Sequence, residues 1–199
     1  MLLGITVGGK FRINGRLSGG GLGVLYEGTD TAENTPVLVR TLHSRYHSDK
    51  EMVGEFRSQS ETIRKLTSEH TARVLAIVKE PGVVGYVTER PDGVSLQHLL
   101  DAGRVFDAQS ALIIAKQVAE SLADAHGKGV VHRGLKPAQI VVHEPDGHDQ
   151  PAEVTVVGYG LTAVRQHSTA SNLRTADRSP EYMAPEQVSQ DGVSAATDL

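Results

Sequence analysis

From Phe11 to Gly28 (FRINGRLSGGGLGVLYEG) apolar side chains recur at short intervals, Ile13 and Leu17 before a run of glycine, Val24 and Tyr26 after it. Alternation of this kind predicts two strands joined by a glycine turn. Pro36 to Leu42 (PVLVRTL) reads as a third strand carrying one cation, Arg40. Between Ser48 and Leu66 the period changes. Met52, Val53, Phe56, Ile63 and Leu66 stand at roughly helical spacing with charge between them, which predicts an amphipathic helix. LAIV and VVGYVTE then predict two more strands across a Pro81-Gly82 turn. Pro91-Asp92-Gly93 interrupts the chain, and Val94 to Leu100 begins a short helix. Asp107 to His126 is the clearest helix, with Asp107 as its N-cap and Gly127 as its stop. Its apolar residues (Leu112, Ile113, Ile114, Ala115, Val118, Ala119, Leu122, Ala125) cover most of the circumference, the pattern of a buried helix. Ile140–Val142 and Val154–Val157 pair as a hairpin around HEPDGHDQPAE.

Composition narrows the class. The 199 residues are 39% apolar with 4% aromatic, enough for a packed core in one large domain or two small ones. A net charge of −4 gives no support for a nucleic-acid binder, whose mark is a basic excess. Without cysteine there is neither a disulfide framework nor a thiolate metal site. The opening MLLGITVGGK is too short in apolar residues for a signal peptide, and no run approaches the roughly 20 needed to span a membrane. The expectation is a soluble, cytoplasmic chain. His143, Asp146, His148 and Asp149 suggest metal ligands, but a polar hairpin turn explains them without one, and no metal site is assigned.

The chemistry concentrates in Val130–His143 (VVHRGLKPAQIVVH). His132-Arg133-x-x-Lys136-Pro137-x-x-Ile140 between two apolar runs resembles the catalytic loop of a protein kinase, whose pattern is H-R-D-L-K-P-x-N. Other segments fit the same family in its order: Ser18-x-Gly20-x-x-Gly23 resembles its glycine-rich loop, Val37-Leu38-Val39-Arg40 its V-A-I-K strand, and Val157-Gly158-Tyr159-Gly160 the place of its D-F-G. Ser179 to Glu186 (SPEYMAPE) ends in an intact A-P-E, and Asp198 resembles the Asp that opens the family's next long helix. The overall cast is similar to bacterial receptor-type Ser/Thr kinases. The implied fold is α+β and two-lobed: a small lobe of antiparallel sheet plus one helix over 10–89, and an incomplete, mainly helical large lobe over 90–199.

The family's chemical residues are replaced as a set. Gly134 stands for the Asp that accepts the substrate hydroxyl's proton, Gln139 for the Asn that holds magnesium, and Gly158 for the D-F-G Asp. Arg40 replaces the phosphate-bridging Lys, longer and forked where the Lys is a point charge. Gln59 falls at the position of the Lys partner, a Glu in the family; an Arg40–Gln59 hydrogen bond would substitute for the ion pair. Leu38 adds bulk where the family's Ala lies against adenine. Lys136 is retained. The resemblance therefore implies a pseudokinase that docks a signalling protein, an active Ser/Thr kinase or a phosphopeptide-binding domain that reads phosphorylation at Ser168, Thr169, Ser171 or Thr175. The competing expectation is a Ser/Thr kinase of residual activity, with ATP held by Gly20, Gly23, Arg40, Glu89 at the start of the hinge, and Lys136, and with Gln139 as the one metal contact. A third is a fragment without activity of its own. With part of the large lobe's cover absent, an aggregation-prone or oligomeric chain is expected.

Overall fold

Val37 and Val39 are fully buried on one face of a strand whose alternate residues, Leu38 and Arg40, lie half-buried on the other. That strand, β4 (Thr35–Leu42), is central to a six-stranded antiparallel sheet in the computed structural model, which describes residues 2–20, 22–143, 152–160, 180–189 and 192–199. The sheet runs β1-β2-β3-β4-β6-β5, with β1 at Thr6–Val7, β2 at Phe11–Gly20, β3 at Gly23–Asp30, β5 at Val74–Glu80 and β6 at Val83–Glu89. One face gathers Val7, Phe11, Ile13, Val24, Tyr26, Val37, Val39, Val78, Val83 and Val87 into a core. The other takes the helix α1 (Lys50–Ile63), whose Met52 and Phe56 pack with Leu22, Leu42, Val84 and Tyr86. Asp49 caps α1 by accepting from the Met52 N–H at 3.0 Å.

The sequence reading of these elements holds with two differences. Leu17, expected to share the inward side with Ile13, is 48% exposed. Register shifts between Ile13 and Gly15 and between Arg16 and Ser18 insert bulges into β2, and each bulge changes which side chains face the core. The Arg40–Gln59 hydrogen bond does not form: Gln59 Oε1, its one possible acceptor atom, is buried and accepts no bond. Glu61 points to solvent, as its place on α1 requires.

The chain divides into two compact units, the first built on 2–20, 22–64 and 73–90, the second on 65–72, 91–143, 152–160, 181–189 and 192–199. In the second, α2 (Leu96–Asp101) and α3 (Ala108–Gly127) accompany a three-stranded antiparallel sheet of β7 (Val94–Ser95), β8 (Ile140–His143) and β9 (Glu153–Val156). Asp107 caps α3 as expected, accepting from Ser110 N at 2.7 Å. Gly127 is not its stop but its last residue. The chain leaves through Gly129, whose φ of +74° suits glycine, with Val130 N bonded to the Ala125 carbonyl. Nor is α3 buried all round. Ile114, Val118, Ser121, Leu122 and Ala125 form one inward stripe, while Leu112 is 69% exposed and Ala115 and Ala119 face outward. Three or four apolar residues per two turns are enough to hold a helix to a sheet. Gln117 fixes β9 along α3, accepting from Val154 N at 2.7 Å and donating to the Ala152 carbonyl at 3.0 Å.

Candidate active site

The loop after α3 is held from beneath by one carboxylate. Asp198 lies in a single helical turn, Ala195–Asp198, started by Ser194, whose side chain and that of Thr197 bond each other's backbone N–H region as a capping box. Its Oδ2 accepts from His132 N at 2.7 Å and from His126 Nε2 at 2.8 Å, and its Oδ1 from Arg133 N at 2.6 Å. The side chain is fully buried, so each of these bonds replaces water that cannot reach it. Arg133 takes φ +64°, a left-handed conformation that costs a side-chain-bearing residue about 1–2 kcal/mol. The bond from its N–H to Asp198 offsets that strain.

His132 is buried beside Asp198, and burial pushes its imidazole below the ordinary value, leaving it neutral near pH 7. Its Nε2 donates to the Val157 carbonyl at 3.0 Å, and a carbonyl can only accept, so Nε2 carries the proton. The His132 ring lies against Tyr159, with centroids 4.6 Å apart. From the other direction, Gln187 Nε2 donates to the Arg133 carbonyl at 2.7 Å, and Glu186 of the A-P-E accepts from Thr197 Oγ1. The loop thus has supports on both sides, all within the second unit.

Those supports bring the second unit's degenerate positions to one place. Pro137–Gln139 forms a single helical turn closed by Gln139 N to the Lys136 carbonyl at 2.8 Å, and Val157 N donates to the Gln139 carbonyl at 2.9 Å. Lys136, Gln139 and the Gly158 turn therefore meet at one end of the β8–β9 hairpin, with Gly134 just ahead of them. Gly134 and Gly158 have no side-chain oxygen, and Gln139 offers one neutral amide oxygen. Magnesium is a hard cation held through carboxylate and phosphate oxygens, and this donor set does not fit it. Among the described residues there is no group of three or more His, Cys, Asp or Glu side chains that could hold a metal. Of the hairpin-turn residues first considered as ligands, Asp146, His148 and Asp149 lie outside the described residues, and His143 Nε2 is 3.1 Å from Thr155 Oγ1.

The first unit holds the remaining candidates. Gly20 and Gly23 face each other across the β2–β3 turn. A Cβ on Gly23 would run into the Thr41 carbonyl oxygen, so close strand packing already requires glycine there. Arg40 lies opposite Leu25 and Tyr86 in register. Glu89, at the end of β6, uses its carboxylate locally: it accepts from Arg73 N and Arg73 Nε, both at 2.9 Å. Its value to a ligand would rest in its backbone, as a hinge implies. Pro91, two residues on, has no N–H to give, a loss readable from the sequence but not drawn from it. Also unread were Asp198 as a buried three-bond acceptor and Ser121 as a polar member of the inward stripe of α3. The spacing of Ser121 with Val118, Leu122 and Ala125 was the available signal.

A protein kinase domain model matches residues 11–199. Over 187 residues the chain is 25% identical to the serine/threonine-protein kinase PrkC of Bacillus subtilis strain 168, covering 94% of this chain and 28% of that protein. It is 29% identical over 192 residues to the serine/threonine-protein kinase AfsK of Streptomyces coelicolor, covering 96% of this chain and 23% of that protein. It thus spans about a quarter of the length of these relatives. The kinase domain of Mycobacterium tuberculosis PknI superimposes over the whole chain and 72% of its own with a TM-score of 0.68 at 21% identity, a likeness of fold. The antiparallel small-lobe sheet with its one helix, the H-R-x-x-K-P loop on its carboxylate support and the match along nearly the full length place this chain in the protein kinase domain family.

Proposed function

We propose that this chain is a catalytically deficient kinase-like domain, a pseudokinase, that serves as a docking module for a signalling protein. The observation that carries the reading is Gly134: a loop fully supported by Asp198, His132 and Gln187 presents no base where the family's pattern has its Asp. Loss of a general base alone costs roughly 10²–10⁴ in rate. Phosphoryl transfer depends almost wholly on positioning and electrostatics; Gly158 withdraws the anionic ligand that would bring metal charge to it, and Gln139 moves the neutral amide ligand by one methylene. Leu38 and Pro91 weaken a base-binding hinge further, one by bulk and the other by its missing donor.

The partner we infer is a protein, either an active Ser/Thr kinase or a phosphopeptide-binding domain that reads the polar segment carrying Ser168, Thr169, Ser171 and Thr175, which lies outside the described residues. We place the chain in the cytoplasm; no helix among the described residues is long and apolar enough to cross a membrane. The second reading is a Ser/Thr kinase of residual activity that holds ATP with Gln139 as its one direct metal contact. Retention of Lys136 and of the glycine hairpin favours it, as does the likeness to serine/threonine-protein kinases such as PrkC and AfsK.

Thermal denaturation with ATP, with and without magnesium, separates the two. The docking module is expected to show no magnesium-dependent rise in Tm. A rise of several degrees, together with labelled phosphate on a protein acceptor that disappears in Arg40→Ala, would establish the enzyme instead.

A further inference from the structure

We infer that the Gly158–Gly160 turn is clamped in a single state by a chain of three buried hydroxyls, those of Thr71, Ser121 and Tyr159. Ser121 Oγ is 2.6 Å from Thr71 Oγ1 and 2.8 Å from the Tyr159 hydroxyl. The three side chains come from three separate pieces of the second unit: the 65–72 segment, the inward stripe of α3, and the turn itself. All are shut off from water, Ser121 completely.

A phenylalanine would fill the same space and leave freely. Tyrosine leaves at a cost, because its departure takes away one of the two partners of the buried Ser121 hydroxyl, which keeps only Thr71. Burial pushes the Tyr159 hydroxyl up to about 12, so it remains a neutral donor at any ordinary pH. The flanking residues supply the freedom that makes a clamp necessary. Gly158 and Gly160 sit at φ +91° and +79°, and glycine crosses between backbone regions at little cost, so this turn is built to swing. The segment bearing Thr71 is itself anchored, since Val156 N donates to the His70 carbonyl at 2.8 Å and Ala72 N to the Val156 carbonyl at 3.1 Å. The hydroxyl chain therefore ties a hinged turn to a fixed base.

The consequence reaches the loop through His132. Its ring rests on Tyr159 and its Nε2 donates to the Val157 carbonyl. A clamped turn holds that imidazole, and with it the start of the His132–Gln139 loop, without any bound ligand. This holds whether or not the chain transfers phosphate, so its failure and the failure of the docking reading are separate.

Tyrosine labelled at the ζ carbon with ¹³C gives the test, since each of the five tyrosines then contributes one line. Tyr159→Phe identifies the line of interest. The clamp predicts one sharp Tyr159 resonance in the unliganded chain, and a second, displaced resonance in Ser121→Ala and in Thr71→Val, as the open population grows about ten- to a hundredfold. A doubled or exchange-broadened line in the wild type overturns the clamp, and so does a single unchanged line in both variants. Hydrogen exchange on the wild type decides the matter should those variants fail to fold. The Tyr159 and Gly160 amides are expected to exchange only with global unfolding, and exchange through a local opening insensitive to denaturant would refute the inference.

Discussion

The two units are held together by different means. The first is a sheet with apolar residues on both faces, and most of its cohesion comes from Val, Phe and Leu side chains on alternate positions, with Asp30, Thr41 and Ser60 buried among them. The second places charged and hydroxyl groups inside: Asp198 under the loop, His132 beside it, and Thr71, Ser121 and Tyr159 in a row. Apolar contact is tolerant of detail, whereas a buried carboxylate with three donors specifies one geometry. The unit that holds the H-R-x-x-K-P loop has the more exacting kind of cohesion around it.

Deleting one member of each kind of interior should separate them. Asp198→Ala leaves two backbone N–H groups and a histidine without their acceptor in a dry site, and is expected to cost about 3–5 kcal/mol. Phe56→Ala in the first unit removes a ring packed 5.9 Å from that of Tyr86 and is expected to cost a similar 3–5 kcal/mol. Their rescue differs. Phe56→Leu should recover most of the loss, because volume is what the site asks for, while Asp198→Asn should recover little, since an amide brings one acceptor where the carboxylate had two. Urea titrations of the four variants test this, and equal recovery in both pairs would erase the contrast.

The same difference decides what could be read from the sequence. The strands of the first unit were legible because one face of each strand is buried and the side-chain period is two; Leu17 was misplaced because a bulge is a local backbone event that leaves no mark on the alternation. In the second unit α3 was legible as a helix but not in its buried arc, since alanine and leucine on a water-facing side look the same as on a core-facing one. The degenerate positions were legible from motif order alone. Asp198 as a support was not, because its three partners are 65 to 72 residues away along the chain and only the fold brings them to it.

Acid should weaken the second unit through Asp124. Asp124 on α3 accepts from the Thr67 and Ser68 N–H groups and pairs with Lys128. Burial raises its carboxyl, but Lys128 and those N–H groups more than offset this and hold it down at about 2. A folded pKa below the unfolded one means that the stabilisation is present above about pH 4 and is lost as pH falls toward 2. The contribution is about 1–2 kcal/mol, allowing for partial exposure. Asp124→Asn should remove that part of the acid-induced loss, as seen in denaturant midpoints at pH 7 and pH 3. An unchanged difference between the two pH values would show that the carboxylate is not the titrating group.

Restoring the family's acids should also divide the positions. Gly158 sits at φ +91°, so Gly158→Asp forces a side chain into a left-handed backbone and is expected to cost about 1–2 kcal/mol. Gly134 is not among the glycines of positive φ, and Gly134→Asp is expected to change stability by less than about 0.5 kcal/mol. A costly Gly134→Asp would mean that the loop has closed over the vacant position, and that more than one side chain separates it from a working site.

The smallest effect should come from a polar anomaly in the first unit. Gln59 Oε1 is buried on α1 without a donor, although the strand β4 carries Arg40. An acceptor stripped of water and left unpaired costs about 1–3 kcal/mol, and replacing it by an apolar group of similar length removes that cost. Gln59→Met is therefore expected to raise stability by about 1 kcal/mol, with the denaturant midpoint moving up and the slope unchanged. Gln59→Glu should do the reverse, because a charge in the same place needs the partner that the amide already lacks. If instead Gln59→Glu stabilises the chain, Arg40 can reach across to it, and the ion pair of the active family is one substitution away.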